Sequence, residues 1–304
     1  MAGRQAFLIG QYGSFDNKKY IRDFRDGFFG IEACMFASEE HIEQLIHESK
    51  ARGFQIGVHF PFRAGQSALR DALFLAKDAE VREEAYRLVQ EELEFLRRAR
   101  PNYILFHYPK PVIMDDLTDW SKWRFASEME YIQESEIALE ELVERTEYLF
   151  QWLTARSKEF HFIPVLEFDA IHQYIYNSDF LIKLLTQYPE VKLCLDTGRL
   201  FLQEKVDPRF DAKKVIRTYA KYAYTVHLWN VRVTDTVEYG HYPALPELDP
   251  KDGWAPIEEY MSIMFQENPQ VKIMFEHRSD LISDEQLEAC YAWMDRLAKR
   301  TELL

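Results

Sequence analysis

The chain has 304 residues, of which 47% are hydrophobic, and its formal net charge is −14. This much apolar material can form a packed core and argues against disorder, while the acidic excess argues against nucleic acid as a partner. No stretch reaches the roughly eighteen apolar residues of a membrane span. We therefore expect a soluble, cytoplasmic protein without membrane contact, and the lack of any linker predicts one domain over residues 1–304.

Short runs of β-branched and aromatic residues recur along the chain and predict eight strands. The first four runs are AFLIG (6–10), FGIEACMF (29–36), FQIGVHF (54–60) and YILFHY (103–108). The last four, in chain order, are FIPVLEF, VKLCLDTG, YTVHLWN and VKIMFEH. Cysteines are three in number and far apart, so we expect buried free thiols and neither a disulfide framework nor a thiolate zinc site.

Helical periodicity fills the intervals between these runs. The first interval contains only a short helical stretch, DNKKYIRDFRDG. Longer helices are predicted in the remaining intervals and after the last strand, at 38–53, about 77–98, 128–157, 178–188, 212–220, 257–265 and 284–299. Alternating strands and helices imply parallel pairing, and eight such units close into a (β/α)8 TIM barrel. An open doubly wound sheet is the alternative, but no Gly-rich fingerprint follows the first strand.

A long irregular segment, 109–127, follows the fourth predicted strand and carries Trp120, Trp123 and Phe125. Long loops at the carboxyl ends of barrel strands often act as lids. The aromatic residues could equally pack this loop onto the barrel or form a contact between subunits. The sequence leaves these alternatives, and the question of a homo-oligomer, open.

A single acidic residue or histidine interrupts each of the last four apolar runs, at or near its end. These residues are Glu167, Asp196, His227 and Glu276. Burying such groups unpaired is costly, and a shared divalent cation would offset the cost. Carboxylate oxygen and imidazole nitrogen together suit Mn, Zn, Co or Fe, whereas Mg, the less suited alternative, prefers oxygen alone. Without a metal, each group would need a backbone or basic partner.

Glu167, Asp196 in LDTGR, His227 in VHLWN and Glu276 in FEHR resemble the xylose isomerase-like barrel superfamily. Its members include sugar phosphate isomerases and epimerases, ketose 3-epimerases, inosose dehydratases and endonuclease IV. The resemblance covers nearly the whole chain. It implies one bound divalent metal with these four residues as ligands, and Glu167 and Glu276 as the catalytic acid/base pair.

The resemblance implies a metal-dependent isomerase or epimerase that acts on a small carbohydrate through a metal-stabilised enediolate. Two opposed glutamates would invert a carbon centre, whereas a single one would move a proton between neighbouring carbons. Alternatives are a cyclitol dehydratase, which is a lyase, an endonuclease IV-like zinc phosphodiesterase, and a barrel that binds sugar without catalysis. No motif indicates an organic cofactor.

Three histidines near the same rim have two interpretations each. His59 and His107 lie near the ends of the third and fourth strands, where relatives bind substrate or a second metal. Each could instead bond only a neighbouring strand or loop. His241, in EYGHYPALPELDPKDGW, could bond a substrate hydroxyl or pack beneath that loop.

One departure from the family pattern is Arg199, which stands where relatives often have histidine in LDTGH. A guanidinium cannot bind a metal, so a third zinc of the endonuclease type loses support. Arg199, and Arg232 after the seventh strand, could grip a substrate carboxylate or phosphate. Arg199 could equally neutralise acidic residues near the metal. Arg63 and Lys110 on neighbouring loops have weaker claims.

Overall fold

The computed structural model of the protein describes residues 4–66 and 69–301, and within this part eight parallel strands close into a barrel. Each strand pairs with its neighbours in chain order, and the eighth returns to pair with the first. The strands are β1 (Phe7–Tyr12), β2 (Gly30–Cys34), β3 (Gln55–His59), β4 (Tyr103–Tyr108), β5 (Ile163–Phe168), β6 (Lys192–Asp196), β7 (Ala223–Leu228) and β8 (Lys272–Phe275). The closed barrel confirms the predicted (β/α)8 fold.

Helices follow every barrel strand and shield its outer face. In the described part of the chain, the principal helices are α1 (Asn17–Asp23), α2 (Glu39–Arg52), α3 (Ala79–Leu96), α4 (Leu139–Phe160), α5 (Phe180–Gln187), α6 (Thr197–Val206), α7 (Ala212–Tyr219), α8 (Ile257–Glu267) and α9 (Asp284–Thr301). No helix among the residues described is both long and apolar enough to cross a membrane.

One helix was predicted with the wrong start and another was not predicted, and each difference has a local cause. The helix predicted to begin at residue 128 begins at Leu139, because 128–136 form two short 3-10 turns and the strand Tyr131–Gln133, which pairs with Val112–Met114. Helix α6 was missed, since the glycine in LDTGR is typical of a turn. Asp196 ends β6 and also caps α6 by accepting a hydrogen bond from the Arg199 amide, so no loop separates them.

The rim loop that follows β4 packs on the barrel in this structure. Trp123 is buried against Val112, Ala170 and Val206, and the Trp120 indole donates a hydrogen bond to the Asp115 carbonyl oxygen. The aromatic residues therefore pack this loop onto the barrel, which is one of the alternatives that the sequence left open. After β7, an antiparallel ribbon of Asn230–Val233 and Val237–Tyr242 rises from the same rim. The three cysteines are free and buried, as expected.

Candidate metal centre

The four polar residues of the last strands meet at the carboxyl end of the barrel. Parallel register places Asp196 opposite His227, and His227 opposite Met274, two residues before Glu276. The Nδ1 atom of His227 lies 3.3 Å from both Glu167 Oε1 and Glu276 Oε2. All four side chains offer a ligand atom within 4.8 Å of the others. The structure thus brings the whole predicted set together.

The unpartnered atoms of this cluster test whether a cation fits it. Glu167 Oε2, His227 Nδ1 and His59 Nε2 are buried and have no hydrogen-bond partner. Ligands bonded to one metal at about 2.0–2.2 Å lie roughly 3–4 Å from each other, which matches the 3.3 Å separations around His227. An unpartnered nitrogen that faces two carboxylate oxygens at this distance, as His227 Nδ1 does, is what a shared cation would satisfy. The residues fit a divalent metal.

The electrostatics of the cluster also favour a cation. Burial raises the pKa of Asp196 well above its usual range, and the nearby charges of Glu276 and Glu167 add to this. Burial opposes ionisation of Glu276 too, but attraction to His227, and more weakly to His241, outweighs it and lowers the pKa of Glu276 to about 2. Three carboxyl groups sharing one imidazole leave excess negative charge, which a metal would neutralise.

A carboxylate below the cluster fixes the orientation of His227. Glu32 on β2 accepts hydrogen bonds at Oε2 from the Tyr103 hydroxyl at 2.6 Å and from His227 Nε2 at 3.2 Å. With hydrogen on Nε2, the lone pair of Nδ1 points at Glu167 and Glu276, as a metal ligand requires. Gly57 makes room for this arrangement, because a Cβ there would lie 2.5 Å from the Tyr103 hydroxyl oxygen. Glu32 was not among the predicted site residues, although it too interrupts an apolar run.

Asp196 is held from two sides. Its Oδ2 accepts a hydrogen bond from Trp229 Nε1 at 2.8 Å, while Oδ1 caps α6. The imidazole of His241 stacks on Trp229 with 4.2 Å between ring centroids and donates from Nδ1 to the Glu276 carbonyl oxygen. His241 thus packs against the cluster while its ring stays exposed to solvent. A bond from His241 to substrate stays a prediction.

His59 and His107 flank the far side of Glu167. The Nε2 atom of each lies 3.3 Å from Glu167 Oε2, and the three residues form a second set of potential ligands. His107 is oriented by Asp71, whose Oδ1 accepts a hydrogen bond from Nδ1 at 2.6 Å. This arrangement keeps both predicted roles, second metal and substrate contact, available to the two histidines.

Arg199 supplies positive charge beside this second set. Its guanidinium pairs with Asp169, lies 3.6 Å from Glu167 Oε1 and approaches His107 Nε2 at 3.4 Å. These contacts agree with the predicted neutralisation of buried acidic groups by Arg199. They do not support its other predicted role, which is binding a substrate carboxylate or phosphate. Arg232 lies apart from the cluster, on the ribbon, where it contacts Glu238 and the Asp252 carbonyl oxygen.

Comparisons with known proteins support the fold. No protein-family model and no curated protein match the sequence. A xylose isomerase domain protein from Planctomyces limnophilus aligns over 100% of both chains with TM-score 0.61 and 13% identity. The TTHB071 protein from Thermus thermophilus, soaked with ZnCl2, aligns over 97% of this chain and 98% of its own, with TM-score 0.59 and 17% identity.

A third similar structure is D-psicose 3-epimerase with D-tagatose, from Clostridium cellulolyticum H10. It aligns over 97% of this chain and 96% of its own, with TM-score 0.53 and 16% identity. The chain has the xylose isomerase-like TIM-barrel fold. At these identities the likeness concerns the fold alone, so the chemistry of this barrel has to be argued from its own residues.

A buried lysine ties the rim of this xylose isomerase-like barrel together. Lys110 is only 4% exposed, and its Nζ lies 2.8 Å from both Asp71 Oδ2 and Asp169 Oδ2. Burial acts to lower the pKa of Lys110, but the charges of Asp169 and Asp71 prevail and raise it to about 12. Because Asp71 holds His107 and Asp169 holds Arg199, the lysine links the supports of both side chains.

The ion pairs of Lys110 stabilise the folded protein only while the lysine is protonated. The Lys110→Met variant should therefore lack the part of the folding free energy that depends on this protonation. The pKa of Lys110 rises on folding from 10.5 to about 12, so its contribution is complete below pH 10.5 and is lost as pH rises through 12. That shift corresponds to about 2 kcal/mol. Urea unfolding between about pH 9 and pH 12 should show the wild type losing about 2 kcal/mol more than the variant.

The exposed Lys183, which pairs with Asp179 on α5, provides the matched control. Lys183→Met should follow the wild-type dependence of unfolding free energy on pH. Parallel curves for wild type and Lys110→Met would contradict the assignment of this stabilisation to Lys110.

Proposed function

We propose that the protein is a divalent-metal-dependent isomerase or epimerase that acts on a small carbohydrate, with Glu167, Asp196, His227 and Glu276 as metal ligands. The observation that carries the proposal is the convergence of these four groups, in which the buried and unpartnered His227 Nδ1 lies 3.3 Å from Glu167 Oε1 and Glu276 Oε2. Similar structures were soaked with ZnCl2 or solved with D-tagatose, which agrees with a metal and a sugar at this rim.

The donor set indicates the kind of metal. Three carboxylates and one imidazole combine oxygen and nitrogen ligands, and this mixture suits Mn, Zn, Co or Fe better than Mg. When bound, the metal would supply positive charge to stabilise the enediolate that forms when a proton leaves carbon next to a carbonyl group. The remaining steps belong to the side chains around it.

Glu276 is the carboxylate placed to move the proton. Its side chain is 23% exposed and lines a cavity of about 380 Å³ at the rim, whereas Glu167 is 1% exposed and lies deeper. A bound divalent cation would keep this carboxylate ionised at neutral pH, as a general base must be. If Glu167 returns a proton to the same carbon from the opposite face, the configuration of that carbon is inverted. If Glu276 alone returns the proton, to the neighbouring carbon, the carbonyl group moves instead.

The second ligand set favours a second candidate function. Glu167 with His59 and His107 could bind another metal, as a two-metal phosphodiesterase would require. Arg199, 3.4 Å from His107 Nε2, opposes this because its fixed charge repels a cation there. The number of metals bound per chain therefore separates the two functions.

Protein purified without chelator should contain about one Mn, Zn, Co or Fe per chain by elemental analysis. Incubated in D2O with a panel of ketoses, sugar acids, cyclitols and sugar phosphates, it should catalyse deuterium uptake at a carbon next to the carbonyl group of one of them. Product analysis by NMR would then separate epimerisation, isomerisation and dehydration.

Two other results would point elsewhere. Two or more zinc ions per chain together with cleavage of phosphodiesters would favour the hydrolase. Bound metal without deuterium exchange on any compound would favour a barrel that binds sugar without catalysis, and a protein that binds no divalent metal would contradict the proposal.

A further inference from the structure

A cavity of about 380 Å³, here called the rim cavity, opens beside Glu276 at the carboxyl ends of β1, β2, β3 and β8. Glu276 and His59 form part of its wall, so a carbohydrate whose reacting carbons lie at the metal centre would extend into it. Three long basic side chains also line it: Lys19, Arg70 and Arg278. How these three charges are paired decides what the cavity can bind.

Two of the three basic residues are already committed to protein partners. Lys19 Nζ donates to Asp23 Oδ2 at 2.6 Å and to Ser279 Oγ at 3.3 Å. Arg278 Nη2 donates to Asp280 Oδ2 at 2.8 Å. Each charge is thus balanced by a carboxylate of the protein.

Arg70 differs because no carboxylate pairs with it among the described residues. Its Nε atom is buried and lacks a hydrogen-bond partner, and its guanidinium carbon lies 5.8 Å from the ring centroid of Tyr12. A buried N–H group without an acceptor is destabilising, and no carboxylate offsets this for Arg70 within the described part of the chain. The planar guanidinium presents parallel N–H groups, which match the paired oxygens of a carboxylate or phosphate.

We propose that Arg70 binds an anionic group of the substrate, a carboxylate or a phosphate ester, and so selects an acidic sugar derivative over a neutral one. The inference rests on the proposed function, since it takes the rim cavity as the substrate site. It also moves the anion contact away from Arg199 and Arg232, whose guanidinium groups are paired with Asp169 and Glu238.

Three polyols of equal carbon number test this proposal on the metal-loaded protein: neutral D-sorbitol, D-gluconate and D-sorbitol 6-phosphate. Isothermal titration calorimetry should give at least about tenfold tighter binding of one anion than of sorbitol, since each hydrogen bond to a charged group contributes measurably. The tighter of the two anions identifies the group. Arg70→Gln should abolish the preference, so that both anions bind with about the affinity of sorbitol.

Arg278→Gln is the matched control, because Arg278 lines the same cavity but is paired with Asp280. It should retain the anion preference within about twofold. Arg70→Lys, which keeps the charge without the paired N–H groups, should give an intermediate preference and replaces Arg70→Gln if that variant does not fold. Circular dichroism and metal content verify each variant.

Equal affinities for sorbitol and both anions would overturn the proposal. So would an anion preference that Arg70→Gln leaves intact, because the anion would then bind the metal or another cation. Failure of the proposed function gives a different result: no bound metal, or no proton exchange, in a protein whose anion preference still depends on Arg70.

Discussion

Glu276→Gln is expected to lower the rate of solvent proton exchange with the substrate by about a hundredfold to ten-thousandfold. The amide cannot accept the proton, and it replaces a carboxylate that lies 3.3 Å from His227 Nδ1 and lines the rim cavity. It should also weaken metal binding, because a neutral oxygen is a poorer ligand than a carboxylate. Deuterium uptake by NMR and metal retained after dialysis would measure the two effects separately.

Glu238→Gln is the matched control for this change. Glu238 lies on the neighbouring ribbon and pairs with Arg232, away from the metal cluster. It should keep both metal content and exchange rate near wild type. Exchange by Glu276→Gln within about twofold of wild type would rule out Glu276 as the base, whatever its effect on the metal.

Glu32→Ala is expected to weaken metal affinity by about tenfold to a hundredfold, although Glu32 is not one of the proposed ligands. Its carboxylate accepts a hydrogen bond from His227 Nε2 at 3.2 Å and thereby keeps Nδ1 free to bind metal. Without it, the imidazole loses its fixed orientation and some of its basicity. Glu32→Gln, which keeps an oxygen acceptor but not the charge, should fall between wild type and Glu32→Ala in competition titrations with a chelating dye.

Another buried carboxylate separates this effect from a general loss of stability. Glu92 is buried and accepts two hydrogen bonds from Arg63, outside the metal cluster. Glu92→Ala should lower the free energy of unfolding yet leave metal affinity unchanged. If both alanine variants weakened metal binding equally, the orienting role of Glu32 would be wrong.

The sequence by itself determined the barrel and the four converging residues. Strands that follow each other in parallel order all end at one rim, so a polar residue near the end of each late strand had to point there. Glu167, Asp196, His227 and Glu276 meet for this reason, and the apolar runs that contain them made them visible. Helix α6 was missed because Asp196 serves as strand end and helix cap at once.

Only the tertiary structure decided which charges pair with each other. Arg199 contacts Asp169, Arg232 contacts Glu238, and Lys110 bridges two buried aspartates, whereas Arg70 is left without a carboxylate partner among the described residues. Apart from Arg232 and Glu238, which face each other across one hairpin, these pairings join residues far apart in sequence, so no local pattern encodes them. Side-chain length and direction across the rim select each partner, and those are set when the barrel closes.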